Sequence, residues 1–255
     1  MARRVKSLRP GGGCRIMEPS TMGEDTAMKR SEINRYIREA DAFIGAFRFA
    51  LPPFAHWTPE EWASKGPECD EICDNMLGWD ITDYGLGRFE EIGLVLITLR
   101  TGSQNDGRYP KPYAEKLLIS QENQVCPMHF HHVKTEDIIN RGGGILMMEL
   151  HNATADDALA DSDVTVSSDG VTITVPAGTK LELRPGQSVT LPPRMYHAFW
   201  AKAGAGPVLI GEVSACNDDV VDNRFLKPMG RFPDIEEDAP PFWLLCTEYP
   251  GRAGL

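Results

Sequence analysis

The most informative segment of this chain is Cys126-Pro-Met-His-Phe-His-His-Val-Lys-Thr-Glu136. It places His129 and His131 two positions apart, and Glu136 follows five residues after the second histidine. Because residues i and i+2 of a β-strand point to the same face, both imidazoles can reach one ion. A short turn after His131 would bring Glu136 back beside them on a neighbouring strand.

A second informative segment follows further along the chain, Gly186-Gln-Ser-Val-Thr-Leu-Pro-Pro-Arg-Met-Tyr-His197. It supplies a third histidine, His197, on a later predicted strand, where this residue can complete the set. Three neutral imidazoles and one carboxylate suit a first-row divalent metal and leave open positions for a substrate. The two segments together therefore predict a metalloenzyme.

The spacing within these segments resembles the two sequence motifs of the cupins. Two departures from the usual motifs are Asn123 and Arg194, which stand where glycines are common, and no Asn follows four residues after His197. The resemblance implies an all-β cupin fold, a double-stranded β-helix or jelly roll. The first motif is matched by His129, His131, Glu136 and Gly143, and the second by Gly186, Pro192 and His197.

The pattern of apolar residues supports an all-β fold independently, because after about residue 78 its period changes from helical to alternating. Asp169-Gly170 and the Arg141–Gly144 segment are predicted to be hairpin turns between strands. The glycine triplet Gly142–Gly144 is not followed by a predicted helix or by Lys-Ser/Thr, so a phosphate-binding loop is disfavoured. The predicted strands cover residues 89–100, 114–120, 125–132, 136–140, 145–151, 164–168, 171–175, 179–183, 188–191, 196–202 and 207–215.

The N-terminal part of the chain has a different character. Residues 1–27 show no apolar periodicity, and we expect them to form a disordered extension. Residues 28–255 are predicted to form a single cupin domain that begins with a helical segment. One helix should start with Ser31 as its N-cap. A second should start at Thr58, with Glu61 completing a capping box, so helices flank the β-fold on its N-terminal side.

Composition limits the classes of function. The 255 residues are 42% hydrophobic and 25% charged, as in ordinary soluble proteins, and the net charge of −11 disfavours a nucleic-acid partner. The sequence has no run of 18 apolar residues, so no membrane span is predicted. The basic start is followed by Pro10-Gly-Gly-Gly-Cys14 rather than an apolar segment, and the six cysteines are irregularly spaced. We therefore expect a cytoplasmic protein with free thiols, including Cys69 and Cys73.

Two further charged residues fall within apolar strands. Lys116 lies on a strand shortly before the histidine pair, and its side chain is either solvent-facing, which the residues alone favour, or directed into a site. Glu212 follows Pro207-Val-Leu-Ile-Gly on a predicted central strand, where a carboxylate is costly unless it is paired or functional. His132 must face away from His131 and is left out of the predicted site.

A closer resemblance rests on Lys116, the block Gln124–Gly144 and the segment Glu212–Arg224. Over roughly residues 28 to 240 the chain resembles the D-lyxose isomerase family of cupins. That family implies an enzyme that interconverts D-lyxose with D-xylulose, and often D-mannose with D-fructose. It also implies Mn²⁺, with Zn²⁺, Co²⁺ or Fe²⁺ as alternatives. We expect a small sugar as substrate, no nucleic-acid or membrane partner, and a homodimer.

The resemblance also implies roles for individual residues. Glu212 would be the general base of a cis-enediol reaction, and Lys116 would neutralise charge on the enediolate. Distal sugar hydroxyls would be bound by Asp218, Asp222 and Arg224, or these would orient the base. The metal ligands would be His129, His131, Glu136 and His197. A hydride shift is the mechanistic alternative, and an Fe(II)-dependent dioxygenase or a non-catalytic sugar-binding cupin are the alternative functions.

Overall fold

The computed structural model describes residues 27–216 and 221–250. The predicted disordered extension lies outside the described residues except for Ala27, so it stays a prediction. The helices are α1 (Arg30–Ala46), α2 (Pro59–Ala63) and α3 (Asp70–Asp74), with 3₁₀ turns at Pro53–His56 and Pro67–Cys69. The strands are β1 (Met28–Lys29), β2 (Gly78–Thr82), β3 (Leu94–Arg100), β4 (Tyr113–Ser120), β5 (Cys126–His131), β6 (Glu136–Gly143), β7 (Leu146–Asn152), β8 (Val164–Ser168), β9 (Val171–Val175), β10 (Lys180–Leu183), β11 (Ser188–Leu191), β12 (Met195–Ala201), β13 (Val208–Ala215), β14 (Asn223–Phe225) and β15 (Ile235–Glu236).

Two antiparallel sheets face each other across the main core. The larger sheet has the order β2-β3-β4-β13-β6-β11-β8-β9, and the smaller has the order β10-β7-β12-β5-β14. Inward side chains of both sheets form one apolar cluster, with Leu118 and Ile210 from the larger sheet and Met148 and Phe199 from the smaller. This double-sheet arrangement confirms the predicted all-β cupin jelly roll.

Helix α1 covers the outer face of the larger sheet. Its apolar stripe, which includes Ile33 and Ile37, packs on outward residues of β4 such as Leu117, so this strand is buried on both faces. The predicted N-cap, Ser31, is wrong: Lys29 is the N-cap, and the hydroxyl and N–H of Ser31 donate to Asp238. The described residues contain no helix that is long and apolar enough to cross a membrane.

The glycine triplet has a different role from the predicted hairpin. Gly142 and Gly143 end β6 in the larger sheet, and the chain then passes into β7 of the smaller sheet. Gly143 has φ +89°, and a Cβ there would lie 2.2 Å from the Pro207 carbonyl oxygen. The segment is thus a crossing with close backbone contact, which only glycine allows. The Asp169-Gly170 hairpin is confirmed, since it joins the paired strands β8 and β9.

Candidate metal centre and active-site cavity

Three buried histidines of the smaller sheet lie together between the two sheets. His129 and His131 share the inward face of β5, and the register of β12 places His197 opposite His129. One ring nitrogen from each histidine lies within 4.8 Å of one from each of the others. Strand alternation and one antiparallel pairing are therefore sufficient to bring the three imidazoles to one point.

Glu136 reaches the same point from β6 of the larger sheet. Its Oε1 atom is 3.4 Å from Nε2 of His131 and 3.2 Å from Nε2 of His197. This oxygen is buried and makes no hydrogen bond, while Oε2 is 2.7 Å from Lys134 Nζ. A buried carboxylate oxygen without a hydrogen bond, beside three imidazoles, fits a divalent cation. The structure thus brings all four predicted ligands together.

The tautomers of two histidines also fit metal binding. The carbonyl oxygens of Pro127 and Met195 accept hydrogen bonds from Nδ1 of His129, at 2.7 Å, and of His197, at 3.1 Å. A carbonyl can only accept, so Nδ1 carries the proton in both rings and Nε2 presents a lone pair. This second contact also fixes the orientation of each ring.

Electrostatics hold three of the candidate ligands, His129, His131 and Glu136, in the protonation states that a cation requires. Burial and the neighbouring histidines lower the pKa of His129 well below its ordinary value, and burial with Lys134 lowers the pKa of His131. Burial alone would raise the pKa of Glu136, but Lys134 and His131 outweigh it and hold that pKa well below its usual range. These two imidazoles are therefore neutral and the carboxylate is charged near neutral pH.

Lys134 is a site residue that the sequence interpretation missed. Its side chain is buried, and its ammonium group donates to Glu212 Oε1 at 2.8 Å as well as contacting Glu136. A lysine in a turn is usually solvated, so the residue type of Lys134 does not indicate a buried position in a site. The available signal was its position two residues before Glu136, in a turn that must pass beside the ligands.

Glu212 and Lys116 face each other in the larger sheet. They are direct partners in the β13–β4 register, and Lys116 Nζ lies 3.5 Å from Glu212 Oε1. Ser214 Oγ donates to the same carboxylate oxygen at 3.1 Å. Each of the two charged residues is only 5% exposed, so Lys116 points into the site and not to solvent. The pairing supplies the compensation that a buried carboxylate requires.

The predicted sugar-binding residues have different fates. Asp222 is buried, its Oδ1 accepts the Val133 N–H at 2.9 Å, and its Oδ2 is 3.9 Å from Nδ1 of His131, so it anchors the turn after β5. Arg224 is paired with Phe130 in the β14–β5 register, and its half-exposed side chain extends towards Asp157 outside the cavity. We therefore withdraw Arg224 as a candidate. Asp218 lies outside the described residues.

The cavity beside the histidines has a charged side and an apolar side. Asn223 and Phe225, which flank Arg224, line it, and the hydroxyl of Tyr84 lies 3.1 Å from Cys126 Sγ in its wall. The volume of this cavity is about 60 Å³. Such a partly apolar pocket with converging charged groups suits acid–base chemistry on a small polar molecule. Its apolar side is formed by Leu94, Leu96, Leu118, Ile138 and Phe199.

Sequence comparisons identify related proteins that match most of the chain. The family model described as D-lyxose isomerase matches residues 28–249. The D-lyxose/D-mannose isomerase of Serratia proteamaculans is 51% identical over 223 residues, which are 87% of this chain and 98% of that protein. The D-lyxose/D-mannose isomerase of Escherichia coli O157:H7 is 48% identical over 223 residues, with the same two coverages.

Solved structures of related fold include L-ribose isomerases. The Cellulomonas parahominis enzyme with L-ribose has a TM-score of 0.56 at 20% identity, covering 83% of this chain and 99% of that chain. The Acinetobacter sp. DL28 enzyme with L-ribose has a TM-score of 0.56 at 16% identity, covering 84% and 100%. At such identities the likeness concerns the fold. Because the sequence match spans the whole described domain, the chain is a sugar isomerase and belongs to the D-lyxose isomerase family.

Proposed function

We propose that this protein is a metal-dependent aldose–ketose isomerase that interconverts D-lyxose with D-xylulose and D-mannose with D-fructose through a cis-enediol. The observation that carries the proposal is the position of Glu212, a buried carboxylate that lines the same cavity as the four candidate ligands. The names of the two relatives, both D-lyxose/D-mannose isomerases, support these substrates.

The proposed ligands are His129, His131, Glu136 and His197, and the proposed ion is Mn²⁺, with Zn²⁺, Co²⁺ or Fe²⁺ as alternatives. A divalent cation at this position supplies Lewis acidity, which lowers the pKa of a C–H group next to a carbonyl. The set of three imidazole nitrogens and one carboxylate oxygen suits such ions.

Glu212 is the proposed general base. Its carboxylate removes the proton from C2 of the open-chain aldose, the C–H electrons form the C1–C2 double bond, and O1 takes up a proton. Return of the carried proton to C1, with loss of the O2 proton, gives the ketose. One carboxylate can serve both carbons because in a cis-enediol C1 and C2 present the same face to it.

The contacts of Glu212 support this role. Lys134 and Ser214 hold Oε1 by hydrogen bonds of 2.8 and 3.1 Å, which fixes the plane of the carboxylate. The ammonium groups of Lys116 and Lys134 favour the ionised form, which is the form that accepts a proton. The same two cations stabilise negative charge as it develops on the enediolate oxygens.

The direct test is incubation of the purified protein with Mn²⁺ and D-lyxose or D-mannose under anaerobic conditions in deuterated water. We expect D-xylulose and D-fructose to form without oxygen and to carry deuterium at C1. Removal of the metal with a chelator should abolish turnover, and Mn²⁺ should restore it. A requirement for oxygen would favour the dioxygenase alternative, whereas turnover without deuterium incorporation would favour the hydride shift.

We also propose a homodimer located in the cytoplasm. The described residues contain five cysteines and no disulfide, as is usual for chains from a reducing compartment. Light scattering on the purified protein tests the assembly, because a dimer has twice the 28.2 kDa mass of the chain. A monomeric mass would contradict it.

A further inference from the structure

A second cavity adjoins the one that holds the candidate ligands. It has a volume of about 270 Å³ and shares two wall residues, Lys116 and Arg231, with the ligand-bearing cavity. Polar residues dominate the rest of its wall, which is what a ligand rich in hydroxyl groups would need. These polar residues include Asn75, Asp80, Thr98, Thr101 and Gln104.

The volume of the ligand-bearing cavity indicates that a sugar substrate needs the space of the second cavity as well. The ligand-bearing cavity, with a volume of about 60 Å³, has room for about four water molecules. An open-chain pentose has about ten non-hydrogen atoms, whereas about four water molecules have about four, so the pentose is too large for this cavity alone. A sugar with its reacting carbons beside Glu212 can therefore extend past Lys116 and Arg231 into the second cavity.

Strand registers show the path that such a chain would follow. Glu212, Lys116 and Thr98 stand side by side on β13, β4 and β3, on the inner face of the larger sheet. Asp80 follows on β2, opposite the inward Leu96. With strands about 4.8 Å apart, Asp80 lies roughly 14 Å across the sheet from the proposed base, and it is offset by two residues along β2 from the partner of Thr98. That separation exceeds the length of an open-chain hexose, but Arg231, whose guanidinium contacts Asp80, lines both cavities and so lies nearer to the proposed base.

An ion pair stands at the far end of this path. Asp80 is buried and accepts a hydrogen bond from the guanidinium of Arg231. The Arg231 backbone is fixed because its carbonyl accepts the Thr82 hydroxyl at 2.6 Å, and its side chain lies over the Phe232 ring. A hydroxyl group can donate to the carboxylate and accept from the guanidinium, so the pair offers matched partners for one sugar hydroxyl.

We propose that the Arg231–Asp80 pair binds the terminal hydroxyl of the six-carbon sugar and thereby sets the preference between hexose and pentose substrates. The proposal rests on the proposed isomerase function. A pentose with the same reacting end is one carbon shorter and stops short of the pair. Loss of the pair should therefore affect D-mannose more than D-lyxose.

The test compares kcat/KM for D-mannose and D-lyxose in the wild type, Asp80→Asn and Arg231→Lys. We expect the mannose-to-lyxose ratio to fall about 10-fold in both variants, mainly through KM for D-mannose, since a lost hydroxyl contact weakens binding. Arg231→Lys keeps a cation beside Asp80 but loses the planar fork, so it serves if Asp80→Asn fails to fold. Calorimetric binding of D-mannitol, a hexitol that cannot isomerise, should weaken in parallel.

The matched control is Glu182→Gln, which removes an exposed ion pair with Lys202 outside both cavities and should leave the ratio unchanged. Equal losses on the two sugars, or an unchanged ratio, would overturn the inference and leave the isomerase function standing. A wild type that converts D-lyxose but not D-mannose would also overturn it. A wild type inactive on both sugars with Mn²⁺ would instead contradict the proposed function.

Discussion

The ammonium group of Lys134 donates to the carboxylate of Glu212 across 2.8 Å, in a part of the protein that solvent scarcely reaches. The same ammonium group lies 2.7 Å from Glu136 Oε2. One lysine thus connects the proposed base with a candidate metal ligand. Because both carboxylates are buried, this cation compensates the charge of Glu136 and, together with Lys116, that of Glu212.

Replacement of Lys134 by methionine should therefore destabilise the protein strongly. Removal of one partner of a buried ion pair typically costs about 3–5 kcal/mol, because a buried charge is left uncompensated. The free energy of unfolding, measured by urea denaturation, should fall by about that amount.

The control for this substitution is Lys202→Met. It removes the same side chain from an ion pair with Glu182 in which both partners are exposed. Exposed pairs contribute about 0–1 kcal/mol, so this variant should remain close to the wild type. Similar losses in the two variants would contradict the role assigned to Lys134.

The positions of the predicted site residues in the structure show which of them the sequence could predict. The four candidate ligands follow from strand alternation and spacing, and the structure brings them to one point. The resemblance implies a sugar-binding role for Arg224, but the sequence pattern does not predict strand β14, which sets the direction of this side chain. In a strand a shift of one residue reverses the face, so Asn223 and Phe225 line the cavity instead.

Strand β2 was missed for a related reason. Gly78-Trp-Asp-Ile-Thr82 is buried along its whole length, so it lacks the alternation that marks a half-exposed strand. Its outward residues, such as Trp79, pack beneath α1, whereas Asp80 points inward. Contacts of this kind depend on the position of a distant helix, which local periodicity does not contain.

Gly143→Ala tests the close crossing between the sheets. The positive φ of Gly143 and the 2.2 Å approach of a Cβ to the Pro207 carbonyl oxygen both oppose a side chain. We expect a loss of at least about 2 kcal/mol in the free energy of unfolding. Gly107→Ala is the control, since it has open space around its Cβ and should change stability little. A stable Gly143→Ala protein would disprove the proposed constraint.

Stability should decrease in alkaline solution through Cys126. Burial raises the pKa of this thiol from 9.0 to about 12, and the hydrogen bond with Tyr84 offsets only part of the effect. Between these values the folded chain keeps the proton while the unfolded chain loses it. The stabilisation is therefore complete below about pH 9 and is lost as the pH rises towards 12.

Urea denaturation between pH 8 and pH 10.5 measures this dependence. Cys126→Ala should be less stable at every pH because it leaves a cavity, but its stability should decline less steeply with pH. In native protein at pH 9, iodoacetamide should label the partly exposed Cys73 and leave Cys126 unmodified. Rapid labelling of native Cys126, or identical slopes in the two proteins, would contradict this account.

Glu136→Gln and Glu212→Gln separate the proposed ligand from the proposed base. Both changes preserve shape and remove a charge, so differences between them report function. Glu136→Gln should lower the bound metal, measured by elemental analysis, because an amide oxygen is a weaker ligand than a carboxylate. Glu212→Gln should retain the wild-type metal content. Equal metal loss in both variants would show that the two carboxylates are not divided in this way.

The last prediction concerns turnover in Glu212→Gln. An amide cannot accept the C2 proton, so kcat should fall by at least about 10²-fold, the lower range for general base catalysis. Glu115→Gln is the matched control, since Glu115 lies on the same strand as Lys116 but pairs with Arg100 on the other face. That control should retain wild-type kcat. If Glu212 carries the proton, the residual product of the variant in deuterated water should also acquire deuterium more slowly than wild-type product. If Glu212→Gln kept wild-type turnover and its product carried no deuterium, Glu212 would be removed from the reaction. A hydride shift moves hydrogen directly between C2 and C1 and needs no carboxylate to hold it.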